Sequence, residues 1–225
     1  MQAMTPDRSV QTIRANHVRL GAVSLAVSGI LFVLYPAIRP FSDETSLQAA
    51  QAFASPAWTV AHMLAMVAFT LVAVGLFGLY LALQEGVAER RAFWAFVLSV
   101  LGIGLTLPYY GGETYGLRAI GEEAIRQQNA ALVSLAEVVR SGAGEIMFAV
   151  GLLLLAVGAI MAASAIWKSG ALAKWSGVPF ALGFALYIPQ FFGTQPIRVA
   201  HGVLVAIGCL WIAAGMWRLS NKRIA

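Results

Sequence analysis

The chain has 225 residues, of which 60% are hydrophobic and only 11% are charged, and its formal net charge is +5. Soluble domains carry roughly 25% charged residues, so this composition excludes an ordinary soluble domain. Long apolar runs recur along the whole chain, which indicates a polytopic membrane protein. The basic excess forms no cluster with aromatic residues of the kind that binds nucleic acid, so no nucleic-acid partner is expected.

Six apolar segments are each close to the ~20 residues that a helix needs to cross a bilayer. In chain order they are 18–38, 58–83, 93–110, 143–167, 172–192 and 197–217. The connections after the second, fourth and fifth segments are short, which predicts antiparallel neighbours. The sequence therefore predicts an all-α integral membrane protein, a single domain over residues 1–225 built as a six-helix transmembrane bundle in the lipid bilayer.

Two connections predicted on the outer side have sequences typical of short helices. Residues 42–56 open with Ser42 and Asp43, which are good helix-capping residues, and we expect a short surface helix there. Residues 121–142 place their apolar side chains on one helical face. An amphipathic helix of this kind lies on the membrane surface, covers the mouth of the bundle, or simply packs on its neighbours.

A threefold internal repeat is suggested by recurring sequences. The odd-numbered spans end alike, in GILFVLYP, GIGLTLPYY and GFALYIP. Each even-numbered span begins with an ionisable residue that precedes a glycine by thirteen or fourteen positions: His62 and Gly75, Glu145 and Gly158, His201 and Gly215. Three related helical hairpins would explain the pattern. The alternative is that proline, tyrosine and glycine are common at such positions in membrane helices.

The distribution of lysine and arginine predicts the orientation of the bundle. Ten basic residues fall on the side that carries both termini: Arg8, Arg14, Arg19, Arg90, Arg91, Lys168, Lys174, Arg218, Lys222 and Arg223. Five fall on the opposite side: Arg39, Arg118, Arg126, Arg140 and Arg198. Because basic loops stay in the cytoplasm, we expect both termini to be cytoplasmic and the protein to lie in the plasma membrane.

Four ionisable residues, in or at the edge of four different spans, fall at a similar depth near the predicted outer surface. They are His62, Glu113, Glu145 and His201. Ionisable groups at this depth are costly unless they are paired, and they commonly mark functional sites. Polar residues expected at the same level, which could surround the four, are Tyr35, Tyr109, Tyr110, Tyr187, Gln190 and Arg198.

Four interpretations of this cluster compete. Two imidazoles and two carboxylates suit a divalent metal such as Zn, Fe or Mn. His–Glu pairs could instead only close the end of the bundle, as a structural or sensory protein would use them. His62 and His201 could hold a haem from its two faces. The site could also recognise a small molecule or ion.

A metal site would support catalysis at the membrane surface. A metal-bound water can attack a carbonyl or phosphoryl group, with Glu113 as the general base, and a redox-active metal would make an oxidoreductase instead of a hydrolase. The substrate would be a lipid or another amphiphile that reaches the site from the outer side. No charged residue lies in the middle of the spans, so a site open on one side favours an enzyme or sensor over a carrier.

Overall fold

The computed structural model describes the backbone of residues 8–224 and the side chains of residues 11–222, so the side chains of Arg8 and Arg223 lie outside the described part. The described chain is helical and contains no strand. Its α-helices are α1 (Arg8–Ile38), α2 (Leu47–Ala54), α3 (Pro56–Leu83), α4 (Glu89–Gly111), α5 (Leu117–Gln127), α6 (Leu135–Arg140), α7 (Ala143–Ser169), α8 (Gly177–Ala185) and α9 (Gln195–Ile224).

Five helical segments of the described chain are long and apolar enough to cross a membrane. They are Gln11–Ile38, Pro56–Leu83, Glu89–Gln127, Ala143–Ser169 and Gln195–Lys222. The prediction of an all-α membrane protein is confirmed by these segments. Six spans and the threefold repeat stay predictions, because the fifth predicted span, 172–192, is not one helix.

The fifth segment is broken into three short pieces. A 3₁₀ turn at Lys174–Ser176 precedes α8, and a second 3₁₀ turn follows at Pro189–Phe192. Pro189 has no N–H to donate, so an α-helix cannot continue through it without losing a hydrogen bond. The Tyr187 N–H already turns back to the Phe184 carbonyl, at 3.3 Å. Length and hydropathy alone did not reveal this break.

The long helices and α8 form a closed ring in the order α1, α3, α4, α7, α8, α9 and back to α1. Neighbours run antiparallel. Ser28 of α1 donates to the Ala68 carbonyl of α3 at 2.8 Å, and Arg19 of α1 donates to Asn221 near the end of α9 at 2.8 Å. The start of α1 and the end of α9 therefore lie at the same end of the ring, hereafter the terminal end.

Glycines allow some of these helices to approach closely. A Cβ atom on Gly102 of α4 would lie 2.6 Å from the Gly151 carbonyl oxygen of α7. A Cβ on Gly151 would in turn lie 2.7 Å from the Gly102 carbonyl oxygen. Without a hydrophobic force between helices in lipid, such close backbone packing is a main source of association.

Aromatic side chains fill the middle of the ring. Phe32 meets Phe69 edge to face with ring centroids 5.1 Å apart, and it meets Phe184 at 5.7 Å. Phe69 lies 5.3 Å from Tyr187. Edge-to-face pairs of this kind add to the burial energy of the rings. The aromatic core ends at the level where the polar side chains begin.

A layer of short helices covers the end of the ring opposite the terminal end. This cover consists of α2 and residues 117–140, which include α5, a 3₁₀ turn at Ala130–Ser134, and α6. It has its own core, built around Phe53, Trp58 and Leu117. Residues 121–142 form several short pieces instead of one amphipathic helix, because Gln128 ends α5 in the left-handed conformation with φ +53.

The first helix of the cover, α2, is not capped by Ser42 or Asp43 as expected. Ser46 is the N-terminal cap of α2, and its hydroxyl accepts from the Gln48 N–H at 3.1 Å. Asp43 accepts from the backbone N–H groups of Thr45 and Ser46. The expected short helix is present: Ala49, Ala50 and Phe53 are buried against the rest of the cover, while Gln48 and Gln51 are exposed at the surface.

Candidate functional site

His62 lies in the second turn of α3, where the sequence SPAWTVAH determines its position. Ser55 caps the helix by accepting from the Trp58 N–H at 3.1 Å. The His62 ring is 2% exposed. Its Nδ1 donates to the Trp58 carbonyl oxygen at 2.8 Å, because a carbonyl can only accept. Its Nε2 lies 3.7 Å from Oε2 of Glu113.

Glu113 lies in a π-helical turn. The helix does not end at residue 110, where the predicted span stops. Gly111 and Gly112 keep right-handed helical dihedral angles, so α4 continues into the π turn Gly112–Gly116 and then α5. Such turns insert one extra residue into a helix and occur frequently at functional sites. The Trp58 indole N–H donates to the Glu113 carbonyl oxygen at 2.7 Å and ties the turn to α3.

Arg140 binds the Glu113 carboxylate with two hydrogen bonds. Its Nε donates to Oε1 at 2.5 Å, and a terminal nitrogen donates to Oε2 at 3.2 Å. The other terminal nitrogen donates to Glu44 at 2.6 Å, and Glu44 also accepts from Arg39 at 2.9 Å. This ionic network joins the cover to α1 and to the π turn.

The network also changes the proton affinities of its members outside the spans. Burial alone would raise the pKa of Glu44, but the charges and hydrogen bonds of Arg140 and Arg39 outweigh it and lower that pKa. Burial opposes the charge of Arg140, but Glu113 and Glu44 outweigh it and raise its pKa. Glu44 holds a left-handed backbone with φ +58, a conformation that costs a non-glycine residue about 1 kcal/mol or more.

These side chains surround a cavity of about 350 Å³ beneath the cover. Its polar lining is Tyr35, Arg39, Glu44, His62, Tyr109, Tyr110, Glu113, Arg140, Glu145 and Arg198. Its apolar lining includes Phe148, Ile188, Phe191 and Phe192. The cavity thus has a charged part and an aromatic part, and its volume lies within the range of roughly 300–1,000 Å³ that is usual for small-molecule sites.

His201 bonds to a different part of the structure from His62. Its Nε2 donates to the Gly183 carbonyl at 2.7 Å. Because the Tyr187 N–H has turned to Phe184, this carbonyl lacks its usual helical donor. His201 therefore completes the hydrogen bonding of the break after α8. It does not belong to the lining of the cavity.

Glu145 lies at the rim of the cavity and is exposed in the first turn of α7. A carboxylate at that position is favoured by the helix dipole whatever its other role. Next to it, Tyr109 stacks on Phe148 with centroids 4.1 Å apart. Glu145 thus shares the cavity with His62 and Glu113 but forms no ion pair with a described side chain.

The remaining predicted residues divide between the cavity and the core. Tyr35 and Tyr110 line the cavity, and the hydroxyl of Tyr110 lies 3.0 Å from that of Tyr187. Tyr187 and Gln190 are buried but do not belong to the lining. Among the described residues, no three His, Cys, Asp or Glu side chains are grouped so that they could hold a metal ion. The four-residue metal site therefore stays a prediction.

The sequence interpretation missed Arg39, Glu44 and Arg140 as members of the site. Arg39 follows directly on α1, and Arg140 precedes α7 by three residues, so both are charges at the ends of spans. A search for charged residues within a few positions of span ends would have found them. Nothing local in the sequence indicates that Arg140 reaches Glu113.

Comparison with protein-family models, with curated proteins and with solved structures finds no match.

Proposed function

We propose that the cavity beneath the cover binds a small amphiphile through an anionic group. The proposal rests on Arg198, because among the described arginines of the cavity its positive charge is the one without a carboxylate partner. Arg39 and Arg140 are paired with glutamates. Among the described side chains, no carboxylate lies within ion-pair distance of Arg198.

The contacts of Arg198 leave its charge available. Its Nε donates to the Gly193 carbonyl at 3.1 Å, and one terminal nitrogen donates to the Phe191 carbonyl at 2.6 Å. These bonds hold the guanidinium group at the cavity, and the remaining N–H groups can donate to a carboxylate, sulfate or phosphate. Hydrogen bonds between ionised groups are about twice as strong as neutral ones.

The aromatic part of the cavity suits the apolar portion of such a ligand. Phe148, Phe191 and Phe192 lie on this side, and Phe192 is 90% exposed. An exposed phenylalanine beside a charged cavity at the end of a membrane bundle gives a path for an alkyl chain to leave toward lipid. The combination supports an amphiphile over a fully polar ion.

The test compares binding of dodecyl phosphate with binding of dodecanol to the purified protein. Arg198→Gln should weaken dodecyl phosphate binding about tenfold or more, because a hydrogen bond to a charged group contributes about 1.5–3 kcal/mol. Arg126→Gln is the matched control, since Arg126 is an exposed arginine of the cover that does not line the cavity. Equal binding of both ligands, or an equal loss in both variants, would refute the proposal in favour of a structural role for the network.

A metal ion bound at His62 and Glu113 is the second candidate. It is supported by the Nδ1 bond of His62 to the Trp58 carbonyl, since metal-binding histidines usually donate their other nitrogen in this way. Zn, Fe or Mn bound there, with Glu145 at the rim, would supply the water-activating or redox chemistry of a hydrolase or oxidoreductase acting on the amphiphile. As a general base, Glu113 would have to exchange a hydrogen bond from Arg140 for one from the water.

Metal analysis and an absorption spectrum of the purified protein test this candidate. A stoichiometric metal that is lost in His62→Ala but kept in His17→Ala would support it, since His17 is exposed in α1 and remote from the cavity. A haem would instead give a Soret band that disappears in His62→Ala and in His201→Ala. Haem is the less supported cofactor, because His201 is already bonded to Gly183.

The membrane topology belongs to the same proposal. We infer that the broken segment 172–192 also crosses the membrane, which brings the number of crossings to six. Its helix α8 packs between α7 and α9, and its continuation ends with Phe191 and Phe192 at the cavity. The distribution of lysine and arginine supports a cytoplasmic terminal end in the plasma membrane. Cysteines introduced at Lys168 and Lys174 should then resist a membrane-impermeant thiol reagent applied to intact cells, and labelling there would overturn the orientation.

A further inference from the structure

A second cavity lies at the terminal end of the ring, in a place that the proposed function does not use. It has a volume of about 250 Å³ and lies between the connection from α7 to α8, at Leu172, and the second half of α9. Arg198 at the first cavity and Arg218 at the second are twenty residues apart on α9, which corresponds to about 30 Å along a helix. That distance matches the hydrocarbon thickness of a bilayer, so the two cavities lie at opposite membrane surfaces.

The polar groups of this second cavity are cationic. Arg218 and Lys222 lie one helical turn apart on α9, and both side chains are exposed. Neither forms an ion pair with a described side chain. The sequence itself has no aspartate or glutamate after Glu145. The lining of this cavity, which comes from residues 171–173 and 211–222, therefore contains no acidic side chain.

The rest of the lining is apolar. Leu172, Trp211, Ala214 and Leu219 line the cavity together with the two cations. A cavity lined by two cations and by apolar side chains fits a molecule whose negative group is attached to hydrocarbon. A free inorganic anion would use only the two cations.

Tryptophans place the cavity at the level of lipid headgroups. Trp167, Trp175, Trp211 and Trp217 are all partly exposed at this end of the molecule. The rings of Trp167 and Trp175 meet edge to face with centroids 4.8 Å apart. Tryptophan is enriched at the interface between membrane and water, where its ring contacts hydrocarbon and its N–H contacts the headgroups.

We propose that this second cavity binds the headgroup of an anionic phospholipid through Arg218 and Lys222. Basic pockets between transmembrane helices are known to accept such headgroups. The exposed position of the two cations at the bilayer surface favours a resident lipid over a soluble ligand. The proposal is independent of what the first cavity binds.

Thermal unfolding of the full-length protein in a neutral detergent tests the proposal. Phosphatidylglycerol should raise the unfolding temperature in a saturable manner, and phosphatidylcholine should not. Arg218→Gln with Lys222→Gln should weaken the apparent affinity for phosphatidylglycerol about thirtyfold, which corresponds to the loss of two charges at about 1 kcal/mol each. Both side chains are exposed, so without lipid this variant should unfold at the temperature of the unmodified protein.

The matched control removes the same charge at the same end. Arg90→Gln with Arg91→Gln changes two arginines in the first turn of α4 that do not line the cavity. Its affinity for phosphatidylglycerol should change by less than about threefold, since only long-range attraction is lost. An equal loss in both double variants would show that net charge, not the cavity, attracts the lipid. Equal stabilisation by inorganic phosphate would overturn the assignment to a lipid.

Discussion

Arg140→Met should destabilise the protein by removing the centre of the ionic network beneath the cover. The variant keeps most of the apolar volume of the side chain but leaves two carboxylates, Glu113 and Glu44, without their shared partner. Removing one partner of a fully buried ion pair costs about 3–5 kcal/mol. The side chains of Arg140, Glu113 and Glu44 are 22%, 10% and 31% exposed. Solvent therefore reduces the cost, and we expect about 2–3 kcal/mol.

The measurement is the free energy of unfolding in detergent, followed by far-ultraviolet circular dichroism. Arg118→Met is the matched control, because Arg118 pairs with Glu122 on the exposed face of the cover. Exposed pairs of this type contribute about 0.3–0.5 kcal/mol. The double variant Glu113→Gln with Arg140→Met should cost less than the sum of its single variants, because it removes the uncompensated carboxylate. A cost for Arg140→Met no larger than for Arg118→Met would refute the role assigned to the network.

Three further predictions concern packing, the helix break and acid stability. Gly102→Ala should destabilise the protein by about 1–3 kcal/mol through overpacking, since its Cβ would meet the Gly151 oxygen. Gly104→Ala is the control: nothing lies within 4 Å of a Cβ there, so this variant should stabilise α4 by up to about 1 kcal/mol. Unfolding free energies of the pair check this, and equal effects would contradict the close approach. His201→Phe should cost about 1–3 kcal/mol, because the Gly183 carbonyl loses its donor; an unchanged free energy of unfolding would contradict this role. The pKa of Glu44 is lowered in the folded state, so its contribution is present above the ordinary value of 4.5 and is lost as the pH falls through the folded value. The free energy of unfolding of Glu44→Gln, measured against pH, should lack the loss of stability that protonation of Glu44 causes. An unchanged pH dependence would contradict the contribution assigned to Glu44.

Much of the fold follows from apolar segment length alone. The starts of α3 and α7 lie within two residues of the predicted spans, because Pro56 and Gly142 mark them locally. The continuation of α4 through Gly111 and Gly112 was missed, since glycine commonly ends helices. Here the Trp58 indole is bonded to the following Glu113, and Gly112 lies close to Val139. The break after α8 was missed because the segment is apolar throughout, and hydropathy does not show which backbone groups bond to each other.

The site was predicted only in part. The depth of a residue in the membrane follows from its position along a helix, but the neighbouring helix that its side chain contacts does not. His62 and Glu113 were expected at one level, and they lie 3.7 Å apart. His201 was expected at that level too, but it donates to Gly183 across the interface of α8 and α9. Arg140 reaches Glu113 from 27 residues away through the fold of the cover. Pairings of this kind depend on tertiary structure that local sequence patterns do not contain.

The break after α8 has a consequence for biosynthesis. A segment entering lipid must satisfy its backbone polar groups, and each unsatisfied group costs several kcal/mol. Here the carbonyls of Gly183, Phe191 and Gly193 receive their donors from His201 and Arg198 of α9, which the ribosome synthesises later. On the six-crossing topology proposed above, the fifth segment alone in lipid would leave the Gly183 carbonyl without its donor, so we expect it to be inserted together with α9 as one hairpin.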